Sequence, residues 1–593
     1  MFRESVLRQE ALQSIGYRLF VAHLLCIFSA AAPVRASESL RPVFDKLIQA
    51  KMTEAGIVGL SISVIDGDQV IYERGFGYAD RARHRPATPD TVYRMGSVSK
   101  VLTGMAVMQL KESGAVDLDA PIDRYLPKWR MKPRFDEDSI ITPRHLLTHH
   151  AGLPTDLMQG ADTRRPEGLS MLLRRLEAVY PAQAAGKVFQ YSNLGYAVLG
   201  KLIESISGED FPTYMDRHLF TPLGMTRSGF EMTEGIESDL SKGYIRGDEQ
   251  PQYPVREKPA AGLYSSVRDI RRLLRMVVSG DARILSRESI EEMLVRQNAH
   301  LPLDLDLSVG LAWQLTHRLA EERNAGPMAW HDGWLWHFSS SVALLPKHRF
   351  GVVVAANTDG ARKAVSAIAK AVLRRLLWQR HGVKRAPFAP PVAAAPLDPK
   401  AAGQLLGRYD TSAGLVDIEM AGDRLVWRSG RRRLCLVPLR DGTFAMEKFL
   451  NDFLTYRPSE LEEKRLRFVE VDGQLLVATM DNGQRIPLGR KISPPDIPPI
   501  WKRLLGTYAL TRESEDFVAV RRIELKIDAG YLVAEIRISG DYTRTMRQTV
   551  ALIPVSDRVA FVAGVGRYRG DVLSIGAGRR PVLRFQGYEL KKR

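Results

Sequence analysis

The sequence predicts a mixed α/β or α+β domain followed by two all-β, barrel-like units, and three observations carry that expectation. At 593 residues the chain exceeds what one hydrophobic core serves, so two to four domains are expected. From about Ser37 to His381, long amphipathic stretches alternate with short β-rich runs. Beyond a proline- and alanine-dense stretch, short β runs dominate, and their pattern occurs twice. The expected boundaries are an export signal at 1–36, a first domain at 37–384, a linker at 385–399, a barrel-like domain at 400–492, a second linker at 493–499 and a second barrel-like domain at 500–593.

At the start, Arg3, Arg8 and Arg18 precede an apolar stretch from Leu19 to Ala32, and Val34-Arg35-Ala36 offers small residues for cleavage before Ser37. That pattern reads as a signal peptide and places the protein in the periplasm or outside the cell. The long leading region with Glu4 and Glu10 leaves an uncleaved inner-membrane anchor as the alternative. Cleavage would remove Cys26 and leave Cys435 alone, which excludes an intramolecular disulfide in the mature chain.

Next, the alternating run Leu60–Ile65, the turn Asp66-Gly67-Asp68 and the return Val70-Ile71-Tyr72 read as a β-hairpin. Ser341–Leu345 and Gly351–Ala356 read as two more strands, the second nearly all apolar and so well buried. Arg362–Trp378 reads as a helix closing the domain. Both proline-rich stretches read as extended linkers, so residues 37–384 are expected to fold without the rest. In the β-rich remainder, Leu405-Leu406-Gly407-Arg408-Tyr409 is echoed by Leu504-Leu505-Gly506-Thr507-Tyr508, Leu436–Leu439 by Leu552–Val555, and Leu466-Arg467-Phe468 by Leu583-Arg584-Phe585. Two units of roughly a hundred residues each would lose their exposed edges by closing into small barrels, with Trp427, Phe444 and Phe561 as core.

Composition narrows the function classes. Hydrophobic residues make up 45% and charged ones 26%, which fits neither wholesale disorder nor a multispanning membrane protein. The net charge of +17 suits anionic surfaces, but no nucleic-acid motif accompanies it, and Arg428 with Arg431, Arg432 and Arg433 reads as a solvated hairpin tip. No metal-ligand spacing, phosphate-cradling glycine loop or cofactor fingerprint stands out, so no cofactor, metal or nucleic-acid partner is expected.

Chemistry concentrates in three places. Met95-Gly96-Ser97-Val98-Ser99-Lys100 holds the single Ser-x-x-Lys of the chain and leads into an amphipathic stretch ending at Leu110. Residues three apart share a helix face, so Lys100 can reach the Ser97 hydroxyl and act as the base that a serine nucleophile needs. The positive end of the helix favours charge developing near Ser97. Tyr191-Ser192-Asn193 puts a phenol and an amide on a turn before a helix-like stretch, Leu194–Ile206; the phenol can relay a proton and the amide can bind a substrate carbonyl. In His331-Asp332-Gly333, glycine lets substrate approach a strand edge, and the Trp334 N–H can join that of Ser97 as an oxyanion hole, with His331 on the opposite wall. A second His-x-Gly, His150-Ala151-Gly152, lies in a loop, where His149 and His150 are given structural roles.

In this order the three elements resemble the signature of serine β-lactamases and penicillin-binding proteins. His145–Pro154, Gly262–Ser266 with its capping Asp269, and Val353–Asn357 are similar to the class C-like branch, which includes D-aminopeptidases, DD-peptidases and esterases. The resemblance covers roughly residues 40–380. It implies a β-lactamase/transpeptidase-like domain with a central antiparallel sheet and helices; the following β units look like the lipocalin-like barrels of D-aminopeptidases. It also implies a catalytic set of Ser97, Lys100 and Tyr191, substrate binding by Asn193, His331 and Gly333, and the Ser97 and Trp334 amides as oxyanion donors. The third element is Lys in class C β-lactamases and often His in peptidases and esterases, so His331 disfavours β-lactams. Bulky Trp334, Leu335, Trp336 and His337 imply a narrow or aromatic-lined cleft. The expected substrate is a small peptide, ester or amide, D-amino-acid and peptidoglycan-derived peptides included. The alternatives are a β-lactamase and a sensor that binds envelope ligands without turnover.

Overall fold

The computed structural model describes residues 40–593 apart from 136–138, 317–318, 320–324, 384–391, 413, 451–453, 482, 511–513, 541–542, 565–567 and 577–580. The predicted signal and residues 385–391 of the first predicted linker lie outside the described residues.

An eight-stranded antiparallel sheet organises the first part of the chain. Its order is Arg85–Pro86, Gln69–Asp80, Gly59–Asp66, Phe350–Ala356, Phe338–Leu345, Met328–Leu335, Gln314–Thr316, Ser308–Val309. The expected hairpin supplies its second and third strands, and Gly59–Asp66 joins the later strands by pairing Leu60 with Ala356 and Asp66 with Phe350. Phe350–Ala356 is buried on both faces, as its unbroken apolar run requires. Helices Val267–Ser279 and Arg362–His381 both pack on that strand.

The helix after the Ser-x-x-Lys element, Ser99–Glu112, departs from expectation. It is buried continuously from Ser99 to Met108 and is not amphipathic, because it runs through the middle of the domain. Helix Asn193–Ser207 and the short helix Lys258–Ala261 both pack against it. At its crowded centre Gly104 faces Ala312, where an added Cβ would lie 2.4 Å from the alanine methyl. Helix Val267–Ser279 is capped by Ser266, whose hydroxyl accepts from the Asp269 N–H at 3.1 Å. The Asp269 carboxylate instead accepts from the Arg227 N–H and the Ser228 hydroxyl, so Ser266 is the cap.

Both β-rich units close. In the first, eight strands from Gly407–Thr411 to Gln484–Ile492 form a ring sealed by pairing of Arg432–Pro438 with Phe444–Phe449, and the short strand Thr455–Tyr456 lies off the ring. In the second, the eight strands from Gly506–Leu510 to Tyr588–Lys592 form a closed barrel. The internal repeat extends to single hydrogen bonds. Each barrel opens with a short helix, Pro399–Leu405 or Pro499–Arg503, and Tyr409 donates to Leu405 O at 2.8 Å just as Tyr508 donates to Leu504 O at 2.7 Å. The third sequence echo is out of step, since Leu466–Phe468 lies on the sixth strand of its ring and Leu583–Phe585 on the seventh of the other.

Trp427 and Phe444 belong to the first barrel's core, but Phe561 does not belong to the second's. Its side chain faces outward between the interior residues Ala560 and Val562 and lies under the Arg134 guanidinium, 3.4 Å from ring centroid to Cζ. The barrels are packed onto the first domain and onto each other. Asp306 holds Arg485 through two hydrogen bonds, and Leu305 packs on Leu476 and Ala478. Arg569 of the second barrel forms a fully buried pair with Asp410 of the first at 2.6 Å. Ile497, inside the second predicted linker, is buried in the second barrel's core. Ala394 and Ala395, in the first, bond along Leu439 and Pro438.

Candidate active site

Ser97 sits on a single 3-10 turn, Gly96–Val98, that runs directly into helix Ser99–Glu112. The turn is tied down on two sides. Ser99 Oγ donates to Gly96 O at 2.6 Å and accepts from Leu263 N at 3.0 Å, while Ser340 Oγ donates to Met95 O at 2.7 Å. Two glycines permit the close approach. Gly96 has φ of 52°, and a Cβ there would lie 2.7 Å from the Trp334 nitrogen; a Cβ on Gly333 would lie 1.9 Å from Met95 O. Strand Met328–Leu335 therefore presses its Trp334 N–H edge against the turn that carries Ser97.

Lys100 is fully buried one turn further on. Its Nζ lies 3.2 Å from Ser97 Oγ, 2.7 Å from Asn193 Oδ1 and 2.9 Å from Ala260 O. The Tyr191 and Tyr196 rings flank it, with centroids 4.8 and 5.4 Å from Nζ. The Tyr191-Ser192-Asn193 turn is held by a capping hydroxyl, since Ser192 Oγ accepts from Gly195 N and donates to Pro154 O. Asn193 Nδ2 donates to Asp156 at 2.6 Å, and the residue lines the cleft. The structure thus brings Ser97, Lys100, Tyr191 and Asn193 together and sets His331 and Trp334 along the same cleft, with Gly333 between them against Met95.

Residues 44–375, more than half of the chain, match the Beta-lactamase family. The chain belongs to that family. It is 30% identical over 279 residues to Esterase EstB of Burkholderia gladioli, a match covering 40% of this chain and 70% of the esterase. It is 25% identical over 334 residues to Protein flp of Staphylococcus aureus, covering 55% of this chain and 64% of flp, so it spans less than two thirds of that relative. Among solved structures it is similar to the octameric penicillin-binding protein homologue from Pyrococcus abyssi, with 27% identity and a TM-score of 0.52 over 75% of this chain and 99% of that one. Residues 44–375 accordingly carry the β-lactamase fold.

Within this family frame the electrostatics of the third element are distinctive. His331 is buried, and burial together with the nearby Lys100 charge lowers its pKa to about 3. Its Nδ1 lies 2.9 Å from Asp332 O, which can only accept, so the proton sits on Nδ1 and Nε2 carries a lone pair. A neutral imidazole offers no cation to an anionic substrate group. The Asp332 carboxylate accepts from Ser341 Oγ at 2.7 Å. Trp334 is 46% exposed at the cleft rim, whereas Trp336 is buried with its ring over Arg94.

Several contributors were not visible in the sequence. His149 stacks on Tyr191 with centroids 4.3 Å apart, and its Nδ1 accepts from the Ser192 N–H at 3.1 Å. It therefore positions the tyrosine turn, beyond the loop-packing role expected of it. His150, by contrast, is bound into structure by a buried contact to Asp304 at 2.8 Å. Asp156 and the Ala260 carbonyl complete the polar cage, and Tyr568, Asp571 and Gln586 bring the second barrel to the cleft. The one local signal for His149 was its place in the His145–Pro154 segment.

Proposed function

We propose that this protein is an exported serine hydrolase that cleaves esters or amides, D-amino-acid-containing peptides among them, through an acyl-Ser97 intermediate. The observation that carries the reading is the buried Lys100 Nζ 3.2 Å from Ser97 Oγ at the start of the central helix. Ser97 Oγ attacks the substrate carbonyl carbon as its proton passes to the Lys100 amine. The Ser97 and Trp334 amides hold the resulting oxyanion. Its collapse breaks the bond to the leaving group, which takes the proton back through Lys100 and Tyr191. Water then attacks the acyl-serine along the same path in reverse, releasing the acid and restoring the Ser97 hydroxyl. Asn193, His331 and the Gly333 edge orient the substrate.

Two considerations favour esters and peptides over β-lactams. The neutral His331 cannot pair with a carboxylate such as β-lactams carry, and the Burkholderia relative is named an esterase. Export through residues 1–36 and a periplasmic or secreted location are part of the proposal. Mass spectrometry of the protein from an envelope fraction should show a start near Ser37. The hydrolase reading is tested with a fluorescent alkyl phosphonate, chromogenic esters, D-amino-acid anilides and nitrocefin. Wild type should be labelled and turn over esters or anilides, and Ser97→Ala should do neither while melting like wild type. Labelling of wild type without turnover of any substrate would favour the sensor reading, and turnover retained by Ser97→Ala would remove Ser97 from the mechanism.

A further inference from the structure

The cleft above Ser97 is larger than a small ester needs. It encloses about 1290 Å³ and is lined at one end by Ser97 and Tyr191 and at the other by the second barrel, including Ile538, Met546, Gln548 and Phe585. Ligand sites commonly occupy about 300–1,000 Å³.

Strand register shows which part of the barrel this is. Tyr531–Gly540 pairs with Thr543–Pro554 so that Leu532 faces Leu552, Ala534 faces Val550, Ile536 faces Gln548 and Ile538 faces Met546. Alternation places all four pairs on one face, and the first members belong to the barrel's interior cluster. Along that inward row burial falls steadily: Leu552 and Val550 are buried, Gln548 is half-buried and Met546 is 52% exposed. An inward-facing methionine that is half exposed marks an open barrel end. The opposite end is corked by the fully buried Trp501, whose Nε1 donates to Ser556 O at 2.9 Å. Met158, from the first domain, packs against the same interior cluster and also lines the cleft, so an apolar side chain joins the barrel mouth to the cavity that holds Ser97.

We propose that the open mouth of the C-terminal barrel is an apolar subsite of the hydrolase, and that the substrate carries an apolar acyl or alkyl arm that reaches it from the scissile carbonyl at Ser97. The inference rests on the Ser97 reading above. The occupant is set by continuity, because the mouth and the nucleophile share one cavity and an arm attached to the reacting carbonyl is what such a cavity admits. Burial of an added methylene is worth about 0.8 kcal/mol, up to about fourfold in kcat/KM for each group seated.

The test uses the full chain and two ester series: p-nitrophenyl acyl esters from acetyl to octanoyl, and alkyl acetates from methyl to octyl. In one of them kcat/KM should rise at least tenfold from the short to the long member. Met546→Glu should cut that long-to-short ratio at least tenfold, while Arg537→Glu, on the outward face of the neighbouring strand, should leave it unchanged. A ratio of two substrates on one sample cancels any loss of folded protein. Turnover that ignores chain length in both series, or a ratio that Met546→Glu does not lower, overturns the subsite and leaves the Ser97 reading standing. Failure to turn over any ester overturns the subsite, and the phosphonate and anilide assays then decide the Ser97 reading separately.

Discussion

Gly333→Ala places a single methyl where the structure has no room for one. The new Cβ would lie 1.9 Å from Met95 O and 2.3 Å from Ser340 Oγ, where ordinary contact begins at 3.4 Å. The Ser340 hydroxyl can rotate away, but the carbonyl is backbone, so strand and turn must part by about 1.5 Å. A donor about 2.9 Å from an oxyanion then moves beyond useful hydrogen-bond distance. Loss of one oxyanion donor costs about 10²–10³ in kcat. The strain costs about 1–3 kcal/mol of stability, which a typical fold survives. Thermal melting should show a modestly lowered Tm, and stopped-time assays with a chromogenic ester should show kcat down at least a hundredfold. Gly403→Ala is the control, since nothing lies within 4 Å of a Cβ there. Wild-type kcat from folded Gly333→Ala would refute the assignment of Trp334 as an oxyanion donor.

Lys100→Ala and Tyr191→Phe should each remove most activity, and the double variant should lose far less than the product of the two, as residues on one proton path do; steady-state kinetics of the cycle checks this. Asp162 has its pKa raised to about 7 by burial and by the neighbouring Glu257 and Asp156. The folded state then binds a proton that the unfolded state has released between about pH 4 and 7. Stability should fall as pH rises through that window, and calorimetry should show a smaller fall for Asp162→Asn. A chain ending after Gly382 removes the barrel partners of Thr155, Gly160, Asp162, Gln183 and Gln190. These bonds make unaided folding of residues 37–384 a poorer expectation than the linkers suggested, and the truncated chain should show rapid amide exchange over residues 155–190 and weakened Ser97 labelling.

Spacing made Ser97 and Lys100 legible, because three residues along a helix start decide their contact whatever lies around them. The order of the Tyr191 and His331 elements and the repeated Leu-Leu-Gly pattern likewise point to the family and to two barrels. Periodicity found the hairpin at Gly59–Asp80 and the buried strand Phe350–Ala356, since those patterns are local. Surroundings were not legible. A buried-all-round helix at Ser99–Glu112 depends on what packs on each side, and Phe561 faces Arg134 through a contact that joins distant parts of the chain. His149 and Asp156 reach the site only when the loop holding both folds against the Tyr191 turn. The barrel mouth is the furthest case: which end stays open depends on where Trp501 corks the ring, 55 residues from its partner Ser556, and on where Met158 meets it from a distant part of the chain, contacts decided by tertiary packing alone.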